Sequence, residues 1–457
     1  MRVELSHPLT KKELTKIFPN AILSPNNTPI ENITTDSREA SKGSLFFALH
    51  GEKASGENYI CDAATRGACG VVCTAPPKEK HPFVDYYTVT DTLLALGKLA
   101  EFYKGLFQLK TVAITGSVGK TTTRTVLSHI LSSKFLVHST EGNYNNQIGL
   151  PMTVLGTPKS TEVLLLEMGM NHKGEIGYLS KIGKPDVGLV TAVGHAHVGE
   201  VGSLEDIYKA KMEITQGICG GALLLPDNMP HYFDFSEVKQ YLCGTTKQAN
   251  FRLEKEENCV VLPQRNRVRI CHKNKSFPFL WSSLFAIAAA HILGMTGEEI
   301  ESILPSCPTP KSRLERIDLA GICIIDDAYN ASPESMQAAL SFTSENRGKG
   351  KLCALLGDML ELGHMAEKCH FDTGKTLGQL GFDEIWLTGQ YAPFVKEGAV
   401  RFGIPQKKIH IGTLDENVSH IANFLCPEDT LLIKGSHQSG VWRAVDMLKK
   451  RYKKELS

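Results

Sequence analysis

Short apolar runs, each too brief for a helix and each followed by a polar or glycine-rich break, set the rhythm of this chain. Val112-Ala113-Ile114 is such a run, right for a buried strand. Thr115-Gly116-Ser117-Val118-Gly119 interrupts it with small residues, and after Lys120 the apolar positions Val126, Leu127, Ile130 and Leu131 recur at helical spacing. Upstream, Leu45 to Leu49 and Gly70 to Cys73 are strand-like, while Leu9 to Phe18 and Thr92 to Phe107 are helical by pattern. Pro76-Pro77-Lys78-Glu79-Lys80 punctuates the chain and reads as a linker. Downstream, Val163-Leu164-Leu165-Leu166-Glu167 and Val187 to Ala192 predict buried strands, Leu204 to Ile214 a helix, and residues 217–279 small strands and loops. Ser283 to Leu293 predicts an alanine-rich apolar helix. Glu298 to Leu304 predicts another, stopped by Pro305, Pro308 and Pro310.

From about Pro310 the rhythm changes. Apolar strands at Ile322–Ile325, Leu352–Leu356, Ile385–Leu387, Ile409–Ile411 and Leu431–Ile433 alternate with helical segments, which argues a mostly parallel sheet flanked by helices. The fold expected is α/β in three domains. These are a small N-terminal α/β domain over 1–90, a central P-loop-type domain with a mostly parallel sheet over 91–308, and a Rossmann-like doubly wound domain over 309–457.

Composition narrows the class. The chain has 457 residues, room for about three ordinary domains, and its 42% hydrophobic and 22% charged fractions are those of a soluble globular protein. Fifty Lys and Arg against 49 Asp and Glu leave a charge of +1, with no electrostatic footprint for nucleic acid or an anionic membrane. The 12 cysteines form no CxxC pair, so reduced core thiols in a cytoplasmic protein are expected rather than disulfides or zinc. MRVELSHPLTKKEL has no apolar signal core, and no stretch approaches the length of a membrane span.

The order strand, glycine loop, Lys-Thr, helix is the context in which backbone amides and a helix N-terminus hold phosphate, with Lys120 adding charge and the Thr121 hydroxyl able to hold Mg²⁺. Ile114 stands where the general pattern has its first glycine; an ordinary glycine turn before a helix would need neither the lysine nor the threonines. Glu167, ending a buried strand, lies either beside that loop within reach of the metal or as a helix-capping partner. His195 and His197 follow the next strand, so at least one faces the same crevice. EGNYNNQIGLP, with Asn145 and Asn146, is a donor-rich loop or a long turn. Asp36-Ser37-Arg38 is a polar turn, which taken alone is usually just solvated. In the last domain the polar residues cluster after the strands: Asp326, Asp327, Tyr329 and Asn330, then Asp358 and Glu361, then Lys434, Gly435 and Ser436, the edge where doubly wound domains bind ligands.

Together TGSVGKTTT, GNYNNQIGLP, LLLEMGMNHKGEI, HVGEVGSLEDIYKAKMEI, IIDDAYNASPESMQAAL, LLGDMLELG and LIKGS resemble the Mur ligase superfamily, ATP-dependent amide-forming enzymes of peptidoglycan precursor synthesis. DSR…GSLFFALHG resembles its UDP-binding domain. DDAYNASPESM and GDMLELG point to the branch that joins D-alanyl-D-alanine to UDP-N-acetylmuramoyl-tripeptide through an acyl phosphate. The resemblance implies that Gly116, Ser117, Val118, Gly119, Lys120, Thr121 and Thr122 hold ATP, with Asn145, Asn146, Ser282, Arg313, Asp327, Tyr329 and Asn330 around the nucleotide. Thr121 and Glu167 would hold a first Mg²⁺ and His197 would help hold a second. Lys211 matches a lysine that is carbamylated in most of these ligases, the alternative being an unmodified lysine paired with phosphate or carboxylate. An ammonium about 4 Å from a cation is repelled by roughly 4 kcal/mol at an effective dielectric near 20, and a carbamate reverses the sign. Asp36, Ser37, Arg38, Asp358, Glu361, Lys434 and Ser436 are the expected substrate contacts, Asp358 and Glu361 being equally suited to core-supporting caps. The chain departs from the family at WSSLFAIAAA, where Ser282 and Phe285 replace asparagines, at KGSH, where His437 replaces arginine, and at SGENY in the first domain. The implied enzyme is a cytoplasmic monomer with small-molecule partners. Rival readings are a related ligase adding another amino acid and a nucleotide-binding regulatory paralogue without turnover.

Overall fold

The computed structural model describes residues 1–51, 54–196, 198–229 and 238–455. Three sheets follow one another along the sequence. The first is six-stranded, in the order β1-β3-β4-β5-β6-β2, from β1 (Arg2–Leu9), β2 (Ala21–Ile22), β3 (Ile30–Thr34), β4 (Ser44–Phe47), β5 (Gly70–Cys73) and β6 (Asp85–Thr88). Its inner strands β3 to β6 are parallel, with β1 and β2 antiparallel at the edges. Because β6 pairs with β5 beyond Pro76–Lys80, that segment is a loop inside the first sheet and not a linker. Proline there marks a turn between two strands, which composition alone does not distinguish from a domain boundary.

The central sheet has nine strands in the order β15-β14-β13-β12-β11-β10-β7-β9-β8. They are β7 (Lys110–Thr115), β8 (Val137–Ser139), β9 (Val163–Glu167), β10 (Val187–Val190), β11 (Ala222–Pro226), β12 (Lys239–Gly244), β13 (Phe251–Glu254), β14 (Cys259–Val261) and β15 (Arg267–Arg269). All neighbours from β8 to β13 are parallel. Their apolar side chains are buried on both faces, which is why these strands read as continuous runs. The apolar helix begins earlier than its alanines suggest, spanning Phe277–Ile292, because Ser276 caps it and Pro278 fits its first turn.

The third sheet, β16-β17-β21-β18-β19-β20, contains β16 (Glu315–Leu319), β17 (Ile322–Asp327), β18 (Leu352–Leu356), β19 (Glu384–Leu387), β20 (Ile409–Ile411) and β21 (Thr430–Lys434). It is parallel except for β16, an edge strand with alternating burial that the sequence reading did not anticipate. Among the described residues no helix is long and apolar enough to cross a membrane.

Two sheets present strand C-terminal ends at positions where consecutive strands lie on opposite sides. In the central sheet β9 and β10 flank β7, so the chain leaves β7 into the crevice between them. In the third sheet β21 separates β17 from β18, which sets Asp327 beside Lys434 in register. Helices Ala366–Gln379 and Ala392–Arg401 support that edge and cross at glycines. A Cβ on Gly374 would lie 2.0 Å from the Val395 carbonyl oxygen and 2.7 Å from the Ala399 nitrogen. We expect Gly374→Ala to cost about 1–3 kcal/mol through overpacking against backbone, measured as a lower urea midpoint for the C-terminal domain.

Candidate active site

The glycine loop is fixed from behind by β10. Gly116 has φ of 150°, and a Cβ there would fall 2.1 Å from Thr191 Oγ1, so only glycine admits the close approach. Thr191 Oγ1 donates to the Val118 carbonyl at 2.6 Å, and the Ser117 N–H donates to Ala192 at 2.9 Å. Gly119, with φ of 86°, opens the helix Lys120–Leu131. The N–H groups of Val118 through Thr122 have no acceptor among the described residues. Free amides at a helix N-terminus are an anion site. Lys120 Nζ folds back onto the Gly116 carbonyl at 2.6 Å. Burial lowers its pKa, Glu167 opposes that, and Arg313 adds to it.

Glu167 ends β9 with 2% exposure. Its Oε1 accepts from Thr121 Oγ1 at 3.2 Å and Asn145 Nδ2 at 2.9 Å, and its Oε2 from Arg124 Nε at 3.0 Å. The Glu167 N–H is held by Thr140 Oγ1. Glu167 is therefore beside the loop and not a helix cap. Arg124, which also reaches the Gly142 carbonyl, was missed from sequence. Its position one turn after Lys120, facing the same side as Thr121, is the signal that could have found it. Asn146 instead caps the helix Gly149–Leu155, accepting from Ile148 and Gly149 amides.

Lys211, on the helix Leu204–Met212, is 1% exposed, and its side-chain amine has no hydrogen-bond or ion-pair partner among the described residues. Burial, with Lys120 nearby, holds its pKa well below the ordinary lysine value. His197 lies outside the described residues. His195 meets Glu334 of the third domain, Nδ1 to Oε1 at 2.7 Å. Ser282 lies against the loop, its hydroxyl 3.4 Å from where a Gly119 Cβ would stand.

The segment joining the second and third sheets delivers Arg313. Its Nη2 donates to Thr121 Oγ1 at 3.1 Å, and its guanidinium lies 4.3 Å over the Tyr329 ring. Ser312 and Leu314 on either side both have φ of 53°, a left-handed conformation unusual for such residues. They are tied down by Asp326, which accepts from Ser312 Oγ, and Asp327, which accepts from the Leu314 N–H. Lys434 Nζ donates to Asp327 Oδ2 at 2.5 Å and to the Asn330 carbonyl at 3.0 Å, making a buried ion pair. Asp358 accepts from the Gln390 and Tyr391 amides and so caps the loop before the helix Ala392–Arg401. Glu361, at φ of 63°, receives the Gly199 N–H on its carbonyl, while Ser436 Oγ accepts from Leu360. His437 stacks on Trp442 at 5.6 Å.

Asp36, Ser37 and Arg38 form a separate polar turn in the first domain. Arg38 holds the Asp36 carboxyl down to about 2 while its own side chain is 80% exposed. The geometry thus gathers the loop, Glu167, Lys211 and Arg313 into one crevice able to hold a polyphosphate.

Three family models match the chain: the Mur ligase middle domain over 114–277, the Mur ligase glutamate ligase domain over 312–437, and the Mur ligase family catalytic domain over 29–104. It is 32% identical over 448 residues to the UDP-N-acetylmuramoyl-tripeptide--D-alanyl-D-alanine ligase of Bacillus subtilis (strain 168), covering 93% of this chain and 95% of that one. Crystal structure I of MurF from Acinetobacter baumannii aligns with a TM-score of 0.86 at 30% identity, over 98% of this chain and 100% of that one. The MurF ligase from Thermotoga maritima in complex with ADP aligns with a TM-score of 0.81 at 26% identity, over 93% and 98%.

The Asp327–Lys434 pair makes a pH-dependent prediction. Burial raises the Asp327 carboxyl above its ordinary range, and Lys434 works against the shift. Lys434→Met removes that opposition, so the rise grows. A folded pKa above the unfolded one means the native state holds the extra proton. Stability is then fully present below the unfolded value and lost as pH climbs through the folded one. Lys434→Met should cost about 3–5 kcal/mol at neutral pH and less near pH 5, read from urea denaturation at both.

Proposed function

The chain belongs to the Mur ligase family, and from that membership we propose that it joins the amine of D-alanyl-D-alanine to the terminal carboxyl of UDP-N-acetylmuramoyl-tripeptide, cleaving ATP to ADP and phosphate. The observation that carries this reading is the crevice where the open amides of residues 118–122 and Lys120 face Arg313 of the next domain. It lies in a chain that matches such ligases over nearly its whole length.

In this reading the tripeptide carboxylate attacks the γ-phosphorus of ATP, giving an acyl phosphate and ADP. The dipeptide amine then attacks the acyl carbon, and the tetrahedral intermediate expels phosphate. No protein nucleophile is needed, so the residues work by position and charge. Loop amides and Lys120 hold the transferring phosphoryl group, Arg313 adds charge from the second domain, and closure keeps water from the acyl phosphate. Thr121 Oγ1 and Glu167 Oε1, 3.2 Å apart, are the hard oxygen donors that suit Mg²⁺. When bound, the ion would neutralise phosphate charge. His197 keeps the role of ligand to a second ion that the resemblance gives it. Lys211 is suited to carbamylation: burial depresses its pKa, so the amine gives up its proton more readily than an ordinary lysine and its nitrogen lone pair is more available. Its nitrogen would bond the carbon of CO₂ and release a proton, leaving an anion where an ammonium would be repelled. Asp36, Ser37 and Arg38 are assigned to the uridine nucleotide. The enzyme is placed in the cytoplasm with small-molecule partners.

The purified protein should release phosphate from ATP only when UDP-N-acetylmuramoyl-tripeptide and D-alanyl-D-alanine are both present. Release with a single amino acid instead of the dipeptide would overturn the substrate assignment. Lys211→Ala should lose activity by about 10²-fold or more, with partial rescue by a short-chain carboxylic acid. Full activity without rescue would remove the carbamate from the mechanism.

A further inference from the structure

Glu334 crosses the seam between the second and third domains at a point the ligase reading leaves unused. It stands on the first turn of the helix Pro333–Glu345, whose N-cap is Ser332. Its Oε1 accepts two hydrogen bonds from His195, one from the backbone N–H and one at Nδ1, both at 2.7 Å. The residue before, Gly194, permits this approach: a Cβ there would lie 2.7 Å from the Glu334 carboxyl carbon. Gly194 is bonded on its other side to the phosphate loop. Its N–H donates to Ser117 Oγ at 2.9 Å, and its carbonyl accepts from the same hydroxyl at 3.1 Å. The Gly194–His195 segment is therefore clamped between Ser117 of the loop and Glu334 of the opposing domain.

The other carboxylate oxygen, Glu334 Oε2, is buried and has no hydrogen-bond partner among the described residues. A buried acceptor left open costs about 1–3 kcal/mol, so this carboxylate is a poor device for stability alone. An aliphatic side chain would fill the seam without that penalty. What only the carboxylate provides is a directed, two-bond grip on the backbone that positions Ser117. A second contact keeps the same approach: the Gly199 N–H donates to the Glu361 carbonyl at 3.0 Å, and a Cβ on Gly199 would lie 2.6 Å from the Gly363 nitrogen.

We propose that Glu334 is an interdomain positioning residue, which grips Gly194–His195 and so couples docking of the C-terminal domain to the geometry of the phosphate loop. It rests on the ligase reading for its consequence in turnover but not for the grip itself. Docking that aligns the loop should act on the chemical step more than on nucleotide affinity, because the loop amides belong wholly to the central domain.

The test uses the full-length protein with Glu334→Ala, Glu334→Gln, Gly194→Ala and the double variant. Glu334→Ala should lower kcat about tenfold or more while KM for ATP, ADP affinity by calorimetry and Tm stay close to wild type. Glu334→Gln, which keeps an acceptor oxygen, should recover part of the rate. Gly194→Ala should show the same loss by pushing the carboxylate away, yet add little to Glu334→Ala, where nothing remains to clash with. Unchanged kcat in Glu334→Ala, or multiplied losses in the double variant, would overturn the proposal. X-ray scattering with ADP separates the two readings: Glu334→Ala should have the larger radius of gyration whatever the substrates prove to be. Scattering identical to wild type would sink the clasp even if the ligase activity is present.

Discussion

Burying the Glu167 carboxylate is the constraint on which this site depends. A charge at 2% exposure survives only if paired and hydrogen-bonded, and the partners come from places far apart in sequence. Arg124 supplies the cation from the phosphate-loop helix, Thr121 and Asn145 supply donors to the other oxygen, and Thr140 holds the backbone. Meeting that one requirement places the loop helix, the asparagine-rich loop and the end of β9 relative to one another. It also explains why Arg124 matters more than an exposed arginine on a helix would: it makes the direct ion pair to this carboxylate, with Lys120 acting on it only through space.

A second layer of order follows at the seam. Arg313 reaches Thr121 only because Ser312 and Leu314 hold left-handed backbone, a cost met by Asp326 and Asp327 bonding that segment. Asp327 is in turn paired with Lys434 across two neighbouring strands. One chain of polar contacts thus runs from β21, through the joining segment, to the hydroxyl beside Glu167. Tyr329 under the Arg313 guanidinium, with His437 and Trp442 stacked beyond it, stiffens the far side of this connection.

Local pattern made much of this legible. Buried parallel strands such as Gly70–Cys73, Val163–Glu167 and Leu352–Leu356 coincide with apolar runs because both of their faces are covered. The loop was readable because glycines, lysine and threonines sit between a strand and a helix. What escaped was what depends on distant partners. β16 alternates and pairs at an edge, so it has no continuous apolar run. Pro76–Lys80 looked like a boundary because a tight turn and a linker share their residues. For Asp358 the sequence leaves a cap and a ligand contact equally open, and its bonds to the Gln390 and Tyr391 amides are visible only in three dimensions, as is the Gly149 amide on Asn146 Oδ1. Glu334 carried no signal, since its meaning lies in a glycine in another domain.

The electrostatics of the crevice suit it to an anion. Lys120 lies close enough to Lys211 and Arg313 to feel both charges, and the carboxylate that acts on it, Glu167, is paired with Arg124. Three full positive charges could not share the crevice without strong mutual repulsion. The chain relieves this in two ways: Lys211 is pushed toward the neutral amine, and Lys120 turns back onto the Gly116 carbonyl. A polyphosphate on the loop amides would draw Lys120 off the carbonyl, and a carbamate on Lys211 would convert the site's most expensive cation into an anion.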